Sequence, residues 1–224
     1  MDLPARPHRG RRCWLLMLRG AACPGPAPKE RDRFVLLGLL RGALREGQAR
    51  CEGFSLGPAG LDLLLETADP APLMEALRRA VAAYGRYWRA WYGPRRRPFR
   101  WPPRAVEAPA ELRWELLAWV ETGPVRAGQA ADAAAWRWSS APLHAASGKA
   151  YLPVDTAAWR RRWDAARWRE RLREFASDPR ALVPVARLLA GAKPFRTAAA
   201  PEAPSAPAGL FEEPLRSARA AAGL

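Results

Sequence analysis

Residues 54–66 read Phe54-Ser55-Leu56-Gly57-Pro58-Ala59-Gly60-Leu61-Asp62-Leu63-Leu64-Leu65-Glu66, two apolar runs on either side of a Gly-Pro-Ala-Gly connection. Short apolar runs bounded by turn residues suit strands, and glycine and proline supply the chain reversal between them. The pattern predicts a hairpin with strands over Arg50–Leu56 and Leu61–Thr67. Side chains alternate along a strand, so Asp62 and Glu66 fall on one face of the second strand.

Upstream, Cys13–Leu18 is a continuous apolar run of the kind a sheet buries on both faces. Ala21–Pro28 holds three prolines and a glycine and reads as a loop. Lys29–Glu46 has helical spacing through Phe34, Leu37, Leu40 and Leu44, with Gly47 beyond its end. Downstream, Asp69–Trp91 is a second helix: Asp69 and Pro70 form its start, and Leu73, Leu77, Val81, Tyr84 and Trp88 form its apolar stripe. Gly93–Arg104 is basic and Pro-rich. Pro109–Thr122 reads as a third helix, with Leu112, Leu116 and Trp119 on one side and Gly123-Pro124 stopping it.

A loop with Trp136 and Trp138 follows, then an Arg-crowded helix over Ala157–Ala176, and from Ser177 onward an Ala/Pro-rich decay. The order predicts an α+β fold, a small antiparallel sheet with flanking helices and a C-terminal helical extension. The expected organisation is a basic arm over 1–12, a domain over 13–150, a basic Trp-rich helical extension over 151–194 and a disordered tail over 195–224.

The 224 residues carry 37 Lys plus Arg against 22 Asp plus Glu, a formal net charge of +15. Hydrophobic residues make up 49%, enough for a packed core. No apolar run approaches the roughly 20 residues of a membrane span, so no membrane partner is expected. Arg9, Arg11 and Arg12 precede the apolar run Cys13–Leu18, but six apolar residues are too few for a signal sequence. Cys13, Cys23 and Cys51 form no metal-binding spacing and no even disulfide framework, which suits a reducing cytoplasm.

Only Lys29, Lys149 and Lys193 are lysines, so part of the charge reflects the Arg, Ala, Pro and Gly bias of GC-rich coding. Whatever its origin, such a charge attracts polyanions, and nucleic acid is the leading partner class.

Further features carry a resemblance. Gly123-Pro124-Val125-Arg126-Ala127-Gly128 is followed by Trp136-Arg137-Trp138-Ser139-Ser140. Arg31-Asp32-Arg33-Phe34 opens a helix, Arg19-Gly20 follows the first strand, and residues 54–66 form a strand, loop and strand. In this order and spacing the chain, from about Arg12 to Gly148, resembles the IS200-like single-tyrosine transposases, and among them the REP-associated tyrosine transposases. That family carries Asn-Pro-Val-Arg-Ala-Gly and then a Trp-x-Trp-Ser-Ser element.

The resemblance implies a ferredoxin-like transposase fold and recognition of hairpin or single-stranded DNA. It also implies DNA strand cleavage and transfer, in which two histidines on a strand hold a divalent cation such as Mg²⁺ or Mn²⁺ and a helical tyrosine attacks the phosphate. In this sequence the two histidine positions hold Gly60 and Asp62, and the tyrosine position holds Trp119, four residues before the Gly123 that stops the expected helix.

Glycine offers no ligand and indole no hydroxyl, so no intact catalytic set and no metal cofactor are expected. Asp62, assisted by Glu66, is a weak metal candidate set against a plain solvated residue beside a turn. His8 and His144 stand at no ligand spacing, and Tyr84, Tyr87, Tyr92 and Tyr151 lie away from the nucleophile's place. The expected function is therefore DNA binding without cleavage. An active metal-dependent enzyme using substitute residues and a protein-interaction module remain as alternatives.

For the DNA contact the candidates are Arg95, Arg96, Arg97, Phe99, Arg100, Trp101 and Arg104, where guanidinium groups alternate with rings suited to stacking, and Arg126 in the Pro-Val-Arg element. A solvated basic loop is the plain alternative. In the Ala157–Ala176 helix, Trp159 and Trp163 share one face, while Trp168, Leu172 and Phe175 lie nearly opposite. Such a helix would pack on the domain and turn its other face to DNA or to a second copy in a homodimer; a kink near Ala165-Ala166 is the alternative.

Overall fold

The computed structural model describes residues 10–21, 25–93, 97–146 and 148–195. The expected calls on the arm up to residue 9, on Arg95 and Arg96, and on the tail from residue 196 lie outside the described residues.

The predicted hairpin forms as β2 (Arg50–Gly57) and β3 (Gly60–Thr67), and the upstream apolar run forms β1 (Arg12–Arg19). β1 pairs antiparallel with β3, Arg19 opposite Gly60 and Met17 opposite Asp62. Two strands that the sequence reading did not include complete the sheet: β4 (Arg104–Glu107) and β5 (Lys193–Pro194). The order is β2-β3-β1-β4-β5, with every pair antiparallel. The chain is thus α+β, with a five-stranded antiparallel sheet and flanking helices.

Continuous apolar runs are needed because the sheet is covered on both sides. Leu16, Leu18, Leu61, Leu63 and Leu65 face α1 (Glu30–Glu46) and α2 (Pro70–Tyr92). Leu15, Met17 and Leu64 face α3 (Arg113–Arg126) and its neighbours. Asp69 caps α2 by accepting from the Ala71 N–H at 2.9 Å, with Pro70 in the first turn, as its sequence predicts.

Two helical expectations are corrected. α3 does not stop at Gly123-Pro124 but runs on to Arg126. Gly123 relieves the clash that a proline imposes on the residue before it, and the Arg126 guanidinium reaches back to the Trp119 carbonyl at 2.7 Å and to the Thr122 hydroxyl. Trp119 therefore stands seven residues before the helix end at Arg126 rather than three before an end at Thr122.

The Arg-crowded helix is broken as well. A short α4 (Ala141–Ala145) is followed by α5 (Ala157–Arg160) and α6 (Ala165–Ser177). The break falls where Asp164 caps α6, its carboxylate accepting from the Arg167 N–H at 2.9 Å. With the chain turned there, Trp159, Trp168, Leu172 and Phe175 all become buried in the core beside α3. No second apolar face is left on one continuous helix. Beyond Ser177 the chain does not decay at once: a 3-10 turn (Pro179–Leu182) leads into α7 (Val183–Ala190), whose Val185 is buried.

One buried carboxylate joins these pieces. Glu121 of α3 accepts from the Ser140 hydroxyl, lies 2.6 Å from His144 Nδ1, and accepts from Trp168 Nε1 at 2.8 Å. Ser140 in turn accepts from the Phe54 N–H of β2 at 3.0 Å. Trp136 Nε1 donates to the Leu56 carbonyl, and the Leu56 N–H donates to the Trp138 carbonyl. The Trp-Arg-Trp-Ser-Ser element is thus a strip fastened along the outer edge of β2.

Removing the Glu121 carboxylate leaves the buried His144 and Trp168 ring nitrogens without their acceptor and the Ser140 hydroxyl with only a long bond to the Phe54 carbonyl. Glu121→Ala is expected to cost about 3–5 kcal/mol, and Trp168→Phe, which removes one donor, about 1–2 kcal/mol. Urea unfolding at unchanged slope measures both; equal small shifts in the two variants would contradict the assignment.

Candidate nucleic-acid interface

The end of the sheet at the β2–β3 turn gathers residues from five segments. The segment at 98–100 runs back along the end of β1: the Ala21 N–H donates to the Pro98 carbonyl and the Arg100 N–H to the Arg19 carbonyl, each at 2.9 Å. The Gly20 N–H donates to the Ala59 carbonyl in the turn, also at 2.9 Å. On the α3 side of the sheet, a Cβ at Gly123 would lie 3.9 Å from Ser55 Oγ, which brings the last turn of α3 and Arg126 to the same end. Arg19 and Arg126 therefore come together at Asp62, and the backbone of Arg100 is paired to that of Arg19.

Asp62 is paired opposite Ser55 on β2 and Met17 on β1. Its carboxylate meets the Arg19 guanidinium at 2.5 Å. Burial pushes the Asp62 carboxyl above its ordinary range, and Arg19 and then Arg126 pull it back. Arg126 is half-buried, its guanidinium lying 4.9 Å from the centre of the Trp119 ring. Burial lowers Arg126 to about 10; Asp62 opposes that shift and Arg19 adds to it. Two guanidinium groups thus face one carboxylate in a partly dry setting. That balance favours a further anion over a cation.

A divalent cation does not fit these residues. A side chain at position 60 would place its Cβ 2.2 Å from the Leu18 carbonyl oxygen, and Gly60 holds a φ of +149°, so this backbone admits no ligand there. The Asp62 carboxylate is already taken by Arg19. Glu66 does share its face of β3, but four residues of strand separate the two by about 13 Å, too far to share an ion. Glu66 lies instead within the field of the Arg113–Glu52 pair, so the weak candidate set of Asp62 and Glu66 does not assemble. Among the described residues no group of three metal-capable side chains occurs.

The tyrosine hydroxyls are committed elsewhere. Tyr84 donates to the Pro26 carbonyl, Tyr87 and Tyr92 donate to Asp32, and the Tyr151 hydroxyl takes the Arg137 guanidinium. Burial raises the Tyr84 and Tyr87 phenols and pushes Tyr92 up to about 12, which opposes formation of a nucleophilic phenolate. His144 is fully buried against Glu121, and His8 lies outside the described residues.

The other DNA candidates divide. Arg97 and Arg100 are exposed, as the sequence leads one to expect. Phe99 is not an open stacking face: it is buried, and its ring packs near Tyr84 at 6.0 Å between centroids. Trp101 is half-exposed but lies over Leu61, Leu63 and Leu77, on the sheet face away from Asp62. Arg104 turns its guanidinium to the Leu189 and Ala192 carbonyls at the end of α7, which makes it a helix-end anchor.

Sequence reasoning missed Arg19 as the partner of Asp62, because that pairing depends on the β1–β3 register. It also missed Arg33, which leans on Trp136 and Trp138 at 5.5 and 5.1 Å from the ring centres and donates to the Ala27 carbonyl at the same end.

No family model matches the chain, and no curated protein matches it. Among solved structures, a REP-associated tyrosine transposase bound to a REP hairpin is similar, with a TM-score of 0.50 at 9% identity, over 67% of this chain and 90% of that chain. At that identity the likeness shows the fold: an antiparallel sheet with flanking helices, shared with that transposase across most of its length.

Proposed function

We propose that this chain is a transposase-like DNA-binding protein, a distant relative of the REP-associated tyrosine transposases, that binds hairpin or single-stranded DNA and does not cleave it. The carrying observation is the basic end of the sheet, where Arg19 is paired with Asp62 and Arg126 acts on the same carboxylate, with no group of three metal-capable side chains among the described residues. The similar transposase was solved bound to a DNA hairpin, and the net charge of +15 supports a polyanionic partner. The unpaired Cys13 and Cys51 are consistent with a cytoplasmic setting.

In this reading the arginines neutralise backbone phosphates and displace condensed counterions. Arg126, stacked on Trp119 and held to the helix end, is oriented before DNA arrives, so little side-chain entropy is lost on contact. Asp62 holds Arg19 in place without cancelling the positive charge of the cluster.

Purified full-length protein incubated with labelled hairpin DNA and with random single-stranded DNA, plus Mg²⁺ or Mn²⁺, is expected to give a shift on native gels that favours the hairpin. No denaturant-resistant band is expected. A covalent band would overturn the non-cleaving assignment, and equal binding of both DNAs would overturn specific recognition.

Arg19→Ala is expected to weaken binding to every DNA tested. It should also reduce the slope of log affinity against log salt by about 1, the signature of one lost phosphate contact. An unchanged slope would remove Arg19 from the interface.

Combining Gly60→His, Asp62→His and Trp119→Tyr is expected to lower the unfolding midpoint and to produce no covalent adduct, because a side chain at 60 meets the Leu18 carbonyl. A stable triple variant that nicks hairpin DNA would refute the steric argument.

A further inference from the structure

Trp91, in the last turn of α2, is 55% exposed, the most open large apolar side chain among the described residues. It is not bare: the Arg31 guanidinium carbon lies 3.7 Å from the centre of its ring. Arg31 Nε is buried without a hydrogen-bond partner and stands 3.7 Å from Asp32 Oδ1.

The base under this pair is rigid. Asp32 is fully buried and accepts from the Tyr87 hydroxyl at 2.7 Å, the Tyr92 hydroxyl at 2.5 Å and the Lys29 N–H at 3.0 Å. Tyr92 also packs on Trp88, with 4.1 Å between ring centroids. The start of α1 and the end of α2 are thereby locked together, and Trp91 is carried on a fixed mount.

The mount stands on the α1–α2 side of the sheet, and the segments on either side of it reach the β2–β3 end. The loop before α1 packs on the β2–β3 turn, where a Cβ at Gly25 would lie 2.7 Å from the Pro58 carbonyl. The chain leaving α2 returns at residues 98–100 to pair with the end of β1. An exposed indole with a guanidinium already stacked on it, on a chain of net charge +15, suits a planar aromatic ring that carries its own phosphate. In a duplex both faces of a base are already stacked, so the matching ligand is an unpaired nucleotide.

We infer that Trp91, with Arg31, is a stacking site for an unpaired nucleobase of single-stranded DNA, on the α1–α2 side of the sheet. The inference rests on the DNA-binding reading above. It assigns a distinct task to each group: arginines read the backbone, and Trp91 reads the presence of a base.

The test compares a single-stranded thymidine oligonucleotide with an abasic oligonucleotide of the same length. Wild-type protein is expected to prefer the strand with bases by about 5- to 150-fold, the range for one stacked base. Trp91→Ala is expected to lose that preference while keeping its affinity for the abasic strand, and Trp91→Phe to keep most of it. Because Trp91 is on the surface, circular dichroism of the variants should match wild type.

A wild-type protein that binds hairpin DNA but does not distinguish the two strands would overturn the Trp91 assignment alone, as would a Trp91→Ala variant with the preference intact. A wild-type protein that binds neither oligonucleotide nor hairpin would overturn the DNA-binding reading and this inference with it.

Discussion

A carboxylate removed from water must find donors, and Glu121 finds them on three other segments: Ser140 from the strip along β2, His144 from α4 and Trp168 from α6. None of these segments is long enough to be secure by itself, since α4 has five residues and α6 thirteen. Their positions are coupled because they share one acceptor. The same carboxylate sits on α3, so the helix that carries Trp119 and Arg126 is held in register with the edge of the sheet. The geometry of the basic end depends on an interaction buried directly behind it.

That coupling gives the interface a fixed shape but a modest charge. Arg126 is stacked and half-buried, and Arg19 is paired, so neither is a loose surface cation. In a partly desolvated setting each charge acts over a longer range than it would in water. The arrangement puts two guanidinium groups beside one carboxylate at the end of the sheet, a local excess of positive charge.

The sheet and its first two helices were legible because local signals agreed. Leu61–Leu65 can only be buried on both faces, Asp69-Pro70 is a start signal, and glycine and proline mark the turn at 57–60. β4 escaped because four residues behind a proline-rich stretch give no periodicity. The end of α3 was misplaced because Arg126 compensates for Pro124 through a side-chain contact that no propensity encodes.

The site was less legible for a similar reason. Phe99 and Arg104 looked like members of an exposed basic loop, yet Phe99 is drawn into the core and Arg104 into the end of α7. The role of Arg19 depends on strand register, which a sequence gives only after the sheet has been assembled.

The strip at 136–140 has a bearing on assembly. It occupies the outer hydrogen-bonding edge of β2, and the isolated Cys51–Val154 bridge extends that cover. At the opposite margin β5 covers Arg104 and Ala105 of β4 and itself ends in Pro194, which has no N–H to offer. Both margins of the sheet are therefore blunted against strand addition. Adding a further strand at either margin would first have to displace the strip along β2 or β5, which disfavours joining two copies by running one sheet into the other.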